Sequence, residues 1–146
     1  MFGKSYRIGR IGGVPINIDS SWIWIAVLLT YSLWFQFKGN YFGVSDGEAI
    51  GFALLASVLF FGSVLLHELA HAVAARLSRI EVLGITLVIF GGFTSAKADE
   101  RGPGRAFLIS AVGPAMSLAL GVLFWRLSRV AGSANEALAG AFGYVG

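Results

Sequence analysis

Residues 64–76, VLLHELAHAVAAR, set two histidines and a glutamate inside a run that is otherwise apolar. Ionisable groups are unfavourable at membrane depth and persist there when they have a partner or a task. His67 and His71 are four apart, so on a helix they stack on one face, one turn apart. That is the spacing at which two imidazoles can ligate one zinc ion. Glu68 lies about 100° further round the helix axis. From there it can serve as a base toward water without being a metal ligand itself, and zinc lowers the pKa of its water to about 7. These are the only two histidines in the chain. A His-Glu-x-x-His run arises by chance on the order of once in a few hundred chains of this length.

Two other uses of the same residues stay open on spacing alone. The histidines could be a hydrogen-bonded pair across a bundle, with Glu68 paired to one of them. Alternatively, His67, Glu68 and His71 could relay protons or metal in a membrane transport or binding module.

Composition sets the surroundings. Of 146 residues, 56% are hydrophobic and 13% charged, and the mean hydropathy is +0.75. Soluble domains carry roughly 25% charged residues, so the chain reads as an integral, multi-pass membrane protein with the lipid bilayer as its solvent. The net charge of +3 does not mark a nucleic-acid binder, because the basic residues flank apolar runs and form no patch with interleaved aromatics. With no cysteine, disulfides and thiolate metal sites are excluded. The first apolar run is aromatic-rich and lacks a small-residue cleavage site, which argues against a cleaved signal peptide.

Around that stretch the chain divides into three apolar spans and some strand-like pieces. The spans run over about 22–37, 49–77 and 106–125, joined first by a polar connector, Lys38 to Glu48, with turn glycines. The third contains Pro114, which membrane helices tolerate, and the small residues Gly113, Ala115, Ser117, Ala119 and Gly121, which permit close packing. The segment RIGRIGGVPINID alternates around Gly12-Gly13 and predicts a strand or hairpin at the membrane surface. Val82 to Ala96, rich in β-branched residues and broken at Gly91-Gly92, predicts a strand, and 97–105 a solvated charged turn. Ala- and Gly-rich residues 130–146 read as the approach to a fourth helix. Lys4, Arg7 and Arg10, with the cluster from Arg76 to Arg105, place the N-terminus and the histidine end of the second span in the cytoplasm. Arg126 and Arg129 vote the other way but are outnumbered.

HELAH in a membrane helix, then GGF, then GP in the next helix, resembles the site-2 protease family of intramembrane zinc metalloproteases. GRIGGVPINIDSSW is similar to the branch whose members often carry cystathionine-β-synthase-type domains downstream. The resemblance implies one zinc ion held by His67 and His71, Glu68 as general base, and a transmembrane protein as substrate. It also implies a third ligand, an aspartate on a later helix, in a motif this chain lacks. Its aspartates are Asp19, Asp46 and Asp99, and the ligand is expected beyond Gly146. The family's asparagine after the Gly-Pro pair is replaced by Ser117 in that region. A substrate helix must become extended before cleavage, and Ile85 to Phe90 is the candidate edge to pair with it by β-augmentation, with Gly91-Gly92 turning the chain beneath the site; a plain re-entrant hairpin that serves only packing is the alternative. The expectation is therefore an all-α membrane protein of about three transmembrane helices with short membrane-associated strands. Residues 1–146 would be the N-terminal part of an intramembrane metalloprotease core, incomplete as an enzyme and truncated before a fourth helix.

Overall fold

The computed structural model describes residues 4–40, 44–89, 91–97, 102–131 and 143. Among these residues three helices and four strands follow one another: β1 (Ser5–Ile11), β2 (Val14–Asp19), α1 (Ser21–Asn40), α2 (Asp46–Leu77), β3 (Val82–Val88), β4 (Gly91–Ala96) and α3 (Pro103–Ala131). Helix dominates, as the apolar runs predict. The strands, however, join into one four-stranded sheet of order β1-β2-β3-β4, so the protein is not all-α.

The chain forms two compact units, residues 1–24 with 64–117, and residues 25–63 with 118–146. The first unit holds the sheet. Gly12 and Gly13, at φ 55° and 81°, make a two-residue turn of the kind whose twist suits a hairpin, joining β1 to β2. The Arg76 guanidinium donates to the Gly12 carbonyl. A side chain at Gly13 would meet the same guanidinium, so Arg76 is also the residue that ties the hairpin to α2. β2 then pairs in parallel with β3 (Ile16 opposite Ile85), and β3 pairs antiparallel with β4 (Ile85 opposite Thr94). Parallel neighbours need a long crossover, and here α1 and α2 lie within it. Val14, Ile16 and Ile85 of the sheet are buried with Ala72, against Leu65 and Leu69. Positions 65, 69 and 72 recur at helical spacing, so they define the face of α2 that the sheet covers. Asp19, buried at the end of β2, accepts a hydrogen bond of 2.9 Å from the Ser21 amide and caps α1.

β3 has a neighbour on both sides and cannot be the pairing edge expected of Ile85 to Phe90. Among the described residues the sheet's edges are β1 and β4, and β4 lies one step further along the hairpin from β3. Phe90 and Asp99 lie outside the described residues, as does nearly all of the stretch read as an approach to a fourth helix.

In the second unit, Leu33 and Phe37 of α1 are buried against Ala49, Ala53 and Ala56 of α2. Alanines at positions 49, 53 and 56 form a small-residue stripe that lets the backbones approach. The Thr30 hydroxyl lies 2.9 Å from that of Ser57, which is buried, and Lys38 forms an ion pair with Asp46. The expected polar connector is shorter than its composition suggests, since Gly39 lies in α1 and Gly47 in α2. Helical context and a strong start signal override the two glycines. That signal is a reciprocal capping box: the Ser45 amide donates to the Glu48 carboxylate (2.9 Å) and the Glu48 amide to the Ser45 hydroxyl (3.3 Å).

α2 (32 residues) and α3 (29 residues) are long and apolar enough to cross a membrane, where three such spans were expected. α1 has the length, 20 residues, but Thr30, Tyr31, Ser32, Gln36 and Lys38 dilute its apolar character. Large apolar side chains stand uncovered along α2 and α3, among them Val58 (68% exposed), Phe107 (71%) and Leu118 (73%). Apolar surface of that extent requires an apolar surrounding. α3 continues through Pro114 without ending.

α2 ends in a Schellman turn: the Ile80 amide donates to the Ala75 carbonyl (2.9 Å) and that of Arg79 to the Arg76 carbonyl (2.8 Å). The left-handed position is filled by Arg79 (φ 60°), where glycine carries no Cβ penalty. Arg79→Gly is therefore expected to stabilise the protein by about 0.5–1 kcal/mol. Thermal unfolding in detergent would read this as a raised midpoint, and a lowered midpoint would refute the assignment.

Candidate metal centre

The three ionisable residues of the HELAH run sit in the first unit and point in two directions. His67 and His71 face α3, whereas Glu68 faces β4. The 100° step between neighbouring residues of a helix produces this division.

On the α3 side each imidazole is held through Nδ1. His71 Nδ1 lies 2.8 Å from the Ile109 carbonyl oxygen, and His67 Nδ1 lies 2.8 Å from the Ser117 hydroxyl. A carbonyl oxygen can only accept, so His71 carries a proton on Nδ1, and in the neutral ring that leaves the lone pair at Nε2. The hydroxyl of Ser117 can accept as well, which allows His67 the same tautomer. The two Nε2 atoms meet 3.1 Å apart, with the rings near perpendicular at 76°. Lone pairs aimed together at that distance repel unless a proton or a cation lies between them. Zinc bonded to two nitrogens at 2.0–2.1 Å in tetrahedral geometry would hold them about 3.3 Å apart. The donor set and its spacing thus fit zinc.

Gly113 explains how the rings come so close to α3. A Cβ built there would lie 2.1 Å from His71 Nε2 and 2.6 Å from His67 Nε2. Only a residue without a side chain leaves space over both nitrogens. Ile109, Gly113 and Ser117 are four apart, and so form one stripe of α3. Pro114 supplies no N–H to the Ser110 carbonyl, so the backbone ladder is interrupted one residue from the carbonyl that His71 uses.

On the β4 side, Glu68 is 8% exposed. The Thr94 hydroxyl lies 2.9 Å from its Oε2 and 3.0 Å from its main-chain oxygen. β4 lies directly against the Glu68 side chain. A Cβ at Gly92 would come within 2.8 Å of Glu68 Cγ and 3.2 Å of Leu87 Cδ2. Gly91 precedes it at φ 126°, a conformation that glycine tolerates best. The glycine pair expected to turn the chain beneath the site thus begins the strand that covers the glutamate.

Among the described residues no group of three or more His, Cys, Asp or Glu is placed to hold a metal ion. Asp19 caps α1 and Asp46 pairs with Lys38. The described residues therefore bring together two candidate ligands and no third. The sequence marked Ser117 as a small residue and as the occupant of the region where the family resemblance implies an asparagine, and did not single out Ile109 or Thr94. A main-chain acceptor leaves no mark in a sequence, and one hydroxyl among many is no signal until the fold places it.

Comparison with known proteins identifies a family and relatives. Residues 55–143 match the model of peptidase family M50. The chain is 37% identical over 117 residues to the zinc metalloprotease sll0528 of Synechocystis sp., covering 80% of this chain. It is 39% identical over 124 residues to the zinc metalloprotease Rip3 of Mycobacterium tuberculosis, covering 83% of this chain. The matches cover 31% of each of those relatives, so the chain spans about a third of their length. The site-2 protease of Methanocaldococcus jannaschii has a similar fold, with a TM-score of 0.64 at 20% identity, over 97% of this chain and 62% of that one.

If Gly113 is what admits the two imidazoles, Gly113→Ala should cut zinc affinity by at least about 10-fold, and Ser117→Ala by roughly the same order. Zinc titration of the purified full-length variants would test this. Unchanged affinity in Gly113→Ala would contradict the geometry.

Proposed function

The chain belongs to peptidase family M50, the site-2 proteases, and from that premise we propose that it is the N-terminal catalytic part of an intramembrane zinc endopeptidase that cleaves membrane-spanning proteins. His67 and His71 ligate one zinc ion through Nε2, and Glu68 is the general base. The convergence of the two Nε2 atoms over Gly113 is the observation that carries this reading. The third ligand is the carboxylate that the family resemblance implies on a later helix of the full-length protein.

Bound zinc supplies Lewis acidity, which makes water a nucleophile near neutral pH and polarises the scissile carbonyl. The rest falls to the chain's own groups. Ser117 and the Ile109 carbonyl fix the imidazoles, so both ligating nitrogens face the same point. The Glu68 carboxylate takes the proton from water as its oxygen adds to the carbonyl carbon. The same carboxylate then delivers that proton to the amide nitrogen as the C–N bond breaks. Burial of Glu68 limits competing solvation of the carboxylate.

The substrate must present an extended segment, because a helix keeps its peptide bonds in hydrogen bonds. β4 is the strand suited to receive it, by adding a partner along its unpaired side. Gly91 and Gly92 bring that strand against Glu68, and a substrate lying on β4 would pass close to the base. α1 completes a three-span arrangement, its Trp22, Trp24 and Trp34 suiting the membrane interfaces. The basic clusters at residues 4–10 and 76–105 orient the histidine end of α2 toward the cytoplasm.

Glu68→Gln should lower cleavage by about 10²–10⁴-fold while the protein keeps its zinc, whereas His67→Ala should lose the metal. Both are measured on the full-length protein with a fluorogenic single-span peptide, beside metal analysis. Full cleavage by a zinc-loaded Glu68→Gln protein would refute the reading.

A further inference from the structure

One contact in the site has no part in the reading above: the hydroxyl of Thr94 on the carboxylate of Glu68. We infer that Thr94 is a positioning residue for the general base, holding the Glu68 carboxylate through its hydroxyl and tying the base to β4. The inference rests on the reading of Glu68 as that base.

The hydrogen-bond chemistry fixes the direction. Thr94 Oγ1 lies 2.9 Å from Glu68 Oε2 and 3.0 Å from the Glu68 main-chain oxygen. An ionised carboxylate and a carbonyl offer only lone pairs, so the single hydroxyl proton must come from Thr94. A hydrogen bond to a charged acceptor is stronger than one between neutral groups. Shared between Oε2 and the main-chain oxygen, it ties the carboxylate to the backbone of its own residue, and among the described residues Oε1 carries no hydrogen bond. One carboxylate oxygen is therefore anchored and the other is left for proton transfer.

The strand makes the anchor specific. Gly92 and Thr94 are two apart on β4, so both face α2. Both meet Glu68: the glycine leaves no space beside Cγ, and the threonine holds the oxygen. Their partners across the ladder, Leu87 and Ile85, are buried, so the strand is backed by core and not free to drift. Moving the Glu68 carboxylate off β4 means breaking the Thr94 contact. The base is thereby set by the same edge strand that is proposed to receive the substrate, and its geometry depends on where β4 lies.

The test compares Thr94→Val, Thr94→Ala and Thr94→Ser in the full-length protein, with Glu68→Gln beside them. Readouts are kcat and KM on a fluorogenic single-span peptide, zinc content and the thermal midpoint. Val keeps the size and removes the donor, Ala removes both, and Ser keeps the donor. Both Val and Ala should lower kcat on the order of 10- to 100-fold, with KM and zinc content unchanged and Ser close to wild type. A Val variant within about 2-fold of the wild-type kcat would overturn the inference. So would a Ser variant as slow as Val, or a raised KM at unchanged kcat. Loss of zinc or of the folding transition in both Val and Ala would also overturn it, making Thr94 a packing residue. If Glu68→Gln cleaves at the wild-type rate, the general-base reading itself fails. An inactive Glu68→Gln beside a normal Thr94→Val rejects the positioning role alone.

Discussion

Two imidazole nitrogens 3.1 Å apart form the constraint around which the first unit is organised. Such a pair must be pushed together and each ring turned the right way. α3 does both. Its bare backbone at Gly113 gives the rings space, and the Ile109 carbonyl and Ser117 hydroxyl turn them by their Nδ1 atoms. The histidines are one turn apart on α2 as a matter of helix geometry, but spacing alone would leave the rings free to rotate. Their common aim comes from one stripe of the neighbouring helix.

The sheet performs the matching task for the glutamate. A single residue step round α2 takes Glu68 away from α3 and onto β4, where Gly92 and Thr94 meet it. The sheet is seated in turn on α2 positions 65, 69 and 72 and pinned at its hairpin by Arg76. One helix thus carries a histidine face and a glutamate face, each covered by a different element. This explains why glycine is required at two distant places, Gly92 and Gly113. At each, a covering backbone must approach a functional side chain more closely than a Cβ allows.

What the sequence made legible was local. Helical spacing identified His67, Glu68 and His71, apolar runs located α2 and α3, and Gly12-Gly13 marked the hairpin. The errors were non-local or came from helix ends. Nothing in residues 14–19 and 82–88 announces that they pair in parallel across two helices, and this pairing moves the sheet's edge from β3 to β4. The connector between α1 and α2 was overestimated because Gly39 and Gly47 read as breakers, whereas the Ser45–Glu48 capping box starts α2 at Asp46. The partners of the histidines were illegible because one is a main-chain oxygen and the other, Ser117, drew notice only through the family resemblance and not as a histidine partner. Family resemblance pointed at GGF and GP, and the fold supplies the physical reason for both.

The central claim is that α2 offers a metal two Nε2 atoms, set by their Nδ1 partners on α3. Zinc-edge anomalous diffraction from crystals of the full-length protein tests it directly. A single peak about 2.0–2.1 Å from Nε2 of both His67 and His71, with His71 Nδ1 still on the Ile109 carbonyl, is the expected result. A zinc peak bonded through Nδ1, or one distant from this pair, would contradict it.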